Sequence, residues 1–252
     1  MKKIITSLVI GLLLTVSAVA QSIPAYLVGA SASLGDVESK LKTNGFEILA
    51  TTDNVVTITN DELKKTNTYV ATLHVYVGKS GVRVQNPDYF GHAYLGDKYK
   101  QGQFATTLEA LKKSLGSLKG SEEKLGADEL PDYHFMMGMP YFDEPITVAN
   151  KAKVYNQLQG NDNILYSVSL PNGTILVGHK LSNETSKFLK TLKQTHNSQI
   201  LPYEALVYSN KVNIMNPKYY LALSLPQLSM GQFMRISDIP GQIEDEIEKA
   251  YK

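Results

Sequence analysis

The chain has 252 residues, with 25 Lys+Arg against 24 Asp+Glu and no cysteine. A net charge of +1 without a basic stripe excludes nucleic acid as a partner, because nothing is present to neutralise phosphates; the missing cysteine excludes disulfides, thiol catalysis and a lipid-modified cysteine anchor. Stability must come from burial, which 43% hydrophobic residues can supply, and the length suits one large domain or two small ones.

Residues 1–20 read as a signal peptide. Lys2 and Lys3 supply the charged start, Ile4 to Leu14 a short apolar run, and Ala18-Val19-Ala20 the cleavage site, so the expected product begins at Gln21 and is periplasmic or secreted. That run is too short for a permanent span, and no later stretch reaches the ~20 apolar residues a membrane helix needs. "LGDVESKLKTN" sets Leu34, Val37 and Leu41 on one helical face. Thr51 to Thr68 reads as an additional piece, a strand "VVTIT" and a short helix "DELKK". "TYVATLHVYVG" and "GVRVQN" are strands joined by a turn at Lys79-Ser80-Gly81, with Pro87 ending the second because it cannot donate to a ladder. "QFATTLEALKKSL" then aligns Phe104, Leu108, Leu111 and Leu115 as a closing helix.

Residues 117–162 read as a linker carrying "YHFMMGMPYF", an uncharged stretch with His134 and three methionines between two charged ones. As a crossover between two copies it is expected to pack inside, methionine being the usual filler of irregular gaps. Beyond it, "NETSKFLKTLKQ" predicts a helix capped by Asn183 with Phe188, Leu189 and Leu192 on one face. "LPYEALVYS" and "KVNIMN" predict a hairpin turning at Ser209-Asn210 and ended by Pro217, and "PGQIEDEIEKAYK" a final helix with Ile243, Ile247 and Tyr251 inward.

The chain reads against itself. "VRVQNPDYF" meets "VNIMNPKYY" at an offset of 130 positions, "HVYVGKSG" meets "EALVYSNK", and "GQF" recurs at Gly102 and Gly231. "ESKLKTNGFEIL" sits loosely opposite "TSKFLKTLKQTHNSQIL". Matches in one order argue for duplication. The expected fold is α+β with two similar halves, residues 21–116 and 163–252, each an antiparallel sheet with helices packed on one face.

The stretch "ILPYEALVYSNKVNIMNP" resembles the late hairpin of the bacterial domain of unknown function 302 family, and "NGFEIL" after a helix resembles its opening. The resemblance implies a tandem of two such domains in an exported proteobacterial protein and implies no established reaction. Where members often have cysteine after Leu-Pro this chain has Tyr203, and Asn86 and Asn216 stand where the family has aspartate before proline.

No nucleophile elbow, phosphate loop or HExxH spacing occurs, so no catalytic residue is assigned. Tyr89, Phe90 and Tyr94 stand at positions equivalent to Tyr219 and Tyr220, and aromatic residues with polar tips suit either a ligand groove or the seam between the copies. His134, Met136, Met137 and Met139 are ligands a soft metal would select, and copper is the one cofactor alternative where otherwise none is expected. The function expected is non-catalytic binding of a small molecule or an envelope protein; a periplasmic copper binder using the Met/His cluster, or an enzyme of unrecognised type, are the alternatives.

Overall fold

The computed structural model describes residues 21–252, and the expected signal peptide lies outside the described residues. The chain opens with β1 (Ser22–Pro24) and β2 (Tyr26–Gly29), followed by α1 (Leu34–Thr43), β3 (Glu47–Thr52), β4 (Val55–Thr59), α2 (Asp61–Lys64), β5 (Leu73–Gly78), β6 (Gly81–Gln85), α3 (Pro87–Leu95) and α4 (Ala105–Leu115). Short strands β7 (Lys119–Gly120) and β8 (Lys124–Gly126) precede β9 (Ile146–Asn150), β10 (Ile164–Ser169) and β11 (Ile175–His179). Helices α5 (Asn183–Ser186) and α6 (Phe188–Thr191) lead to β12 (Tyr203–Tyr208), β13 (Lys211–Ile214), α7 (Pro217–Ser224), α8 (Met230–Met234) and α9 (Ile239–Ala250).

The fold is α+β. Of the two large sheets, one runs β3-β4-β5-β6-β2-β7 and the other β10-β11-β12-β13-β9, while β1 and β8 pair as a separate two-stranded sheet; every pairing among the described residues is antiparallel. Apart from β7 the two orders are the same, with β2 answering to β9, β3–β4 to β10–β11 and β5–β6 to β12–β13. On the first sheet α1 and α4 lie side by side; on the second α9 packs over β9 with α7 and α5.

Several sequence expectations need correcting against this order. The second sheet takes in β9, which lies inside the stretch read as linker. Its signal was weak because the crossover after it is only a 3-10 turn, Val154–Gln157, where the first sheet has the amphipathic α1. The piece from Thr51 to Thr68 is not additional, since β4 and α2 answer to β11 and the α5–α6 pair. The latter pair therefore stands in the place of α2 and not of α1, against the loose sequence match. The single helix expected over 183–194 is two short ones, and its cap is Ser182. The first of these turns is anchored on α9, where Glu246 accepts from the Ser182 N–H (2.7 Å), the Ser182 hydroxyl (2.6 Å) and the Thr185 hydroxyl. Tyr69–Ala71 forms a 3-10 turn, so the strand expected from Thr68 begins at Leu73.

Pro87 and Pro217 do more than end strands. Each occupies the first turn of a helix, α3 or α7, where its missing N–H costs nothing. Asn86 and Asn216 are the N-caps, accepting from the N–H of Asp88 (3.2 Å) and Lys218 (3.1 Å). Gly81 closes the β5–β6 turn at φ +146°, with an ideal Cβ only 2.5 Å from the Gly29 carbonyl oxygen, so β2 lies too close for any side chain there.

The sheets are braced by reciprocal insertions. The turn Tyr69–Ala71 packs on β12, and Thr195–Ile200 packs on β5 and β6. The Tyr69 hydroxyl donates to the Asn213 carbonyl at 3.1 Å, and the edge strands β3 and β10 run close together.

Candidate functional site

At the brace, the second residues of β5 and β12 meet. His74 and Glu204 hold equivalent positions in the two sheets, and His74 Nε2 lies 3.6 Å from Glu204 Oε1. Both are buried. His74 Nδ1 is 3.0 Å from the Gln199 carbonyl oxygen, and the His74 main-chain N–H donates to Gln85 at 2.9 Å. Glu204 also accepts from the Thr72 hydroxyl and, at 2.5 Å, from the Tyr166 hydroxyl. Burial, with Glu204 beside it, pushes the Tyr166 hydroxyl well above the usual phenol range, so it stays a donor. The strand register explains the reach. Tyr166 pairs with Gly178 and Gly178 with Glu204, so the tyrosine ring crosses the glycine to arrive at the carboxylate. A Cβ at Gly178 would lie 2.1 Å from that ring. This cluster is a joint between the sheets, and within it His74 Nε2 is buried without a hydrogen-bond partner.

Beside the joint is a cleft of about 310 Å³ lined by residues of both large sheets and of α5–α6. The β3–β4 turn contributes Thr52, Asp53 and Asn54, and β5 contributes Tyr76; β10 and β11 contribute Leu165 and His179, and α5–α6 contribute Ser186, Leu189 and Lys190. Leu181, Leu201 and Pro202 continue an apolar wall, and Lys180, Thr195 and Ser198 lie at the rim. Asp53 holds φ +54°, the left-handed conformation that lets the two-residue turn close over this space. His179 is buried, with Nε2 2.8 Å from the Tyr251 hydroxyl and Nδ1 lacking a hydrogen-bond partner. Burial pushes the His179 imidazole down to about 4, so it is neutral at ordinary pH. Burial also raises the Tyr251 hydroxyl above its usual range.

The aromatic residues singled out by sequence are elsewhere, brought together in the core. Tyr89, Phe90, Tyr94, Tyr219 and Tyr220 are all buried. Tyr89 donates to the Leu223 carbonyl (2.8 Å), Tyr26 to Ser224 (2.6 Å) and Tyr133 to Ala222 (3.2 Å), so three hydroxyls satisfy successive carbonyls at the end of α7. Tyr220 donates to the Ile200 carbonyl at 2.6 Å. Phe142 stacks on Tyr94 with ring centroids 5.1 Å apart and lies 5.9 Å from Tyr219. Tyr133 and Phe142, from the two ends of "YHFMMGMPYF", thus reach into the space between α3 and α7.

Its methionines do not all follow, which corrects the expectation of interior packing. Met136 is 43% exposed and Met137 93%. The chain turns here, with Met139 N–H on the Met136 carbonyl at 3.0 Å and Gly138 at φ +82°, and the tip of that turn faces solvent. Met139 is half-buried against the core, and the His134 ring sits 4.5 Å from Tyr141. Among the described residues no group of three or more His, Asp or Glu is placed to hold a metal ion.

Sequence reasoning missed the cleft because its residues form no motif and come from turns and short helices distant along the chain. The one available signal was His179, a polar residue inside the apolar strand "TILVGHKL". Comparison with family models, curated proteins and solved structures gave no match.

Proposed function

We propose that the chain is an exported, non-catalytic binding protein of two repeated α+β units that holds a small molecule in the cleft between them. The observation that carries this reading is the cleft itself, at about 310 Å³ the size of a small organic ligand and lined from both halves. Its apolar wall of Leu165, Leu189 and Leu201 suits the body of such a ligand. Lys180 and Lys190, at the rim, make no ion pair among the described residues and favour an anionic end. Export rests on the signal peptide read from residues 1–20.

The test is native mass spectrometry of the chain isolated from the envelope of its own cell, beside a Ser186→Trp variant that fills the cleft. A small adduct on the native chain that is lost from the variant supports the reading. An adduct-free native chain that captures an envelope protein in a pull-down instead assigns the partner to the protein class and overturns it.

A further inference from the structure

The chain has seven methionines; Met1 is outside the described residues and Met215 is in the core. The other five gather in two segments that the fold brings together. Met136, Met137 and Met139 form the turn described above. Met230 and Met234 are one helical turn apart on α8, and they are 40% and 61% exposed. The segments touch through Phe135 and Phe233, whose ring centroids are 5.3 Å apart. Phe233 is buried on α8, one place before the exposed Met234, as Phe135 is one place before the exposed Met136. The contact sets the two segments side by side, with Met136 and Met234 each next in sequence to one ring of the pair.

We infer that this face is a binding site for a soft monovalent d10 cation, Cu(I), with thioether ligands drawn from both segments. The thioether is the one neutral side-chain donor that prefers such an ion, and a site made of it needs no deprotonation and no carboxylate. The exposure supports this. A large apolar side chain left in water gains nothing for folding, whereas Met136, Met137, Met230 and Met234 have flexible stems that can close on an ion without moving the backbone. The Phe135–Phe233 contact supplies a fixed base beneath them. The site is independent of the cleft and shares no residue with it.

The experiment is an anaerobic titration of the mature chain with Cu(I) against a chromogenic chelator, for native protein, a Met136→Leu/Met137→Leu/Met139→Leu variant and a Met230→Leu/Met234→Leu variant. Leucine conserves volume at the exposed positions and at half-buried Met139, so circular dichroism should be unchanged. The native chain is expected to hold a single Cu(I), and each variant to bind at least about tenfold more weakly. Equal affinity in the native and either variant chain overturns a site spanning the two segments, and so does a native chain that takes no Cu(I) from the chelator. X-ray absorption of the loaded native chain decides independently of any variant's folding. Sulfur neighbours around copper are expected, and a shell of only nitrogen and oxygen contradicts the inference.

Discussion

Gly178 is where the joint between the sheets depends on the absence of a side chain. Tyr166 lies across it to donate to Glu204, and a methyl group there strikes the ring. Gly178→Ala is expected to cost about 2–4 kcal/mol in urea denaturation, from overpacking plus the loss of a hydrogen bond to a buried carboxylate. In a Tyr166→Ala background the same change should cost less than about 1 kcal/mol, because the obstacle is gone. His179 gives a pH signature. Its imidazole takes a proton near 6.5 when unfolded and near 4 when folded, so between these values the unfolded chain binds more protons. Its contribution is present in full above pH 6.5 and is lost as pH falls towards 4, by about 3 kcal/mol in total. A His179→Gln variant should show a correspondingly shallower fall in stability over that range; an unchanged slope would remove the assignment. The sequence offset set His74 and Glu204 at equivalent positions. That the two face one another was not legible, because nothing local in a strand says which strand of the other half it will meet.

The Asn-Pro pairs ahead of α3 and α7 have one role at two addresses, and the difference between them is testable. Both asparagines cap a helix through the side-chain oxygen. Asn86 also donates its amide to the Pro24 carbonyl at 2.7 Å, which ties the start of α3 to the end of β1. Asn86→Asp keeps the cap but puts a carboxylate against that carbonyl, and about 1–3 kcal/mol should be lost. Asn216→Asp keeps the cap and adds favourable charge at a helix N-terminus, so thermal unfolding should show a change of less than about 1 kcal/mol or a small gain. Equal losses at both sites would show that capping alone is at stake. The β5–β6 and β12–β13 hairpins, β4 and the long amphipathic helices α1, α4 and α9 were legible because each carries its period within one segment. The α5–α6 break was not, since Glu246, some sixty residues later, holds its first turn. The Met-rich stretch was misjudged for a related reason. Its aromatic ends, Tyr133 and Phe142, do the packing, and Gly138 turns the methionines between them outward.

At the scale of the molecule, two sheets of one strand order are joined by reciprocal insertions, and the joint leaves a cleft next to it. The α+β class was legible from alternating strand and helix periods, and the repeated hairpins from their offset of 130. The cleft was not, because a space between sheets is a property of how they dock, and the docking is set by contacts such as Tyr69 on Asn213 that join residues far apart along the chain. Among the described residues no helix is long and apolar enough to cross a membrane. On the proposed function, the space between the two braced sheets is kept for a ligand. Its most direct test is a crystal structure of the chain purified without unfolding from its native envelope. Electron density for a small molecule is expected between the Thr52–Asn54 turn and α5–α6, in contact with Tyr76 and Leu189. A cleft holding only water, in protein that carries its ligand or partner at another surface, would contradict it.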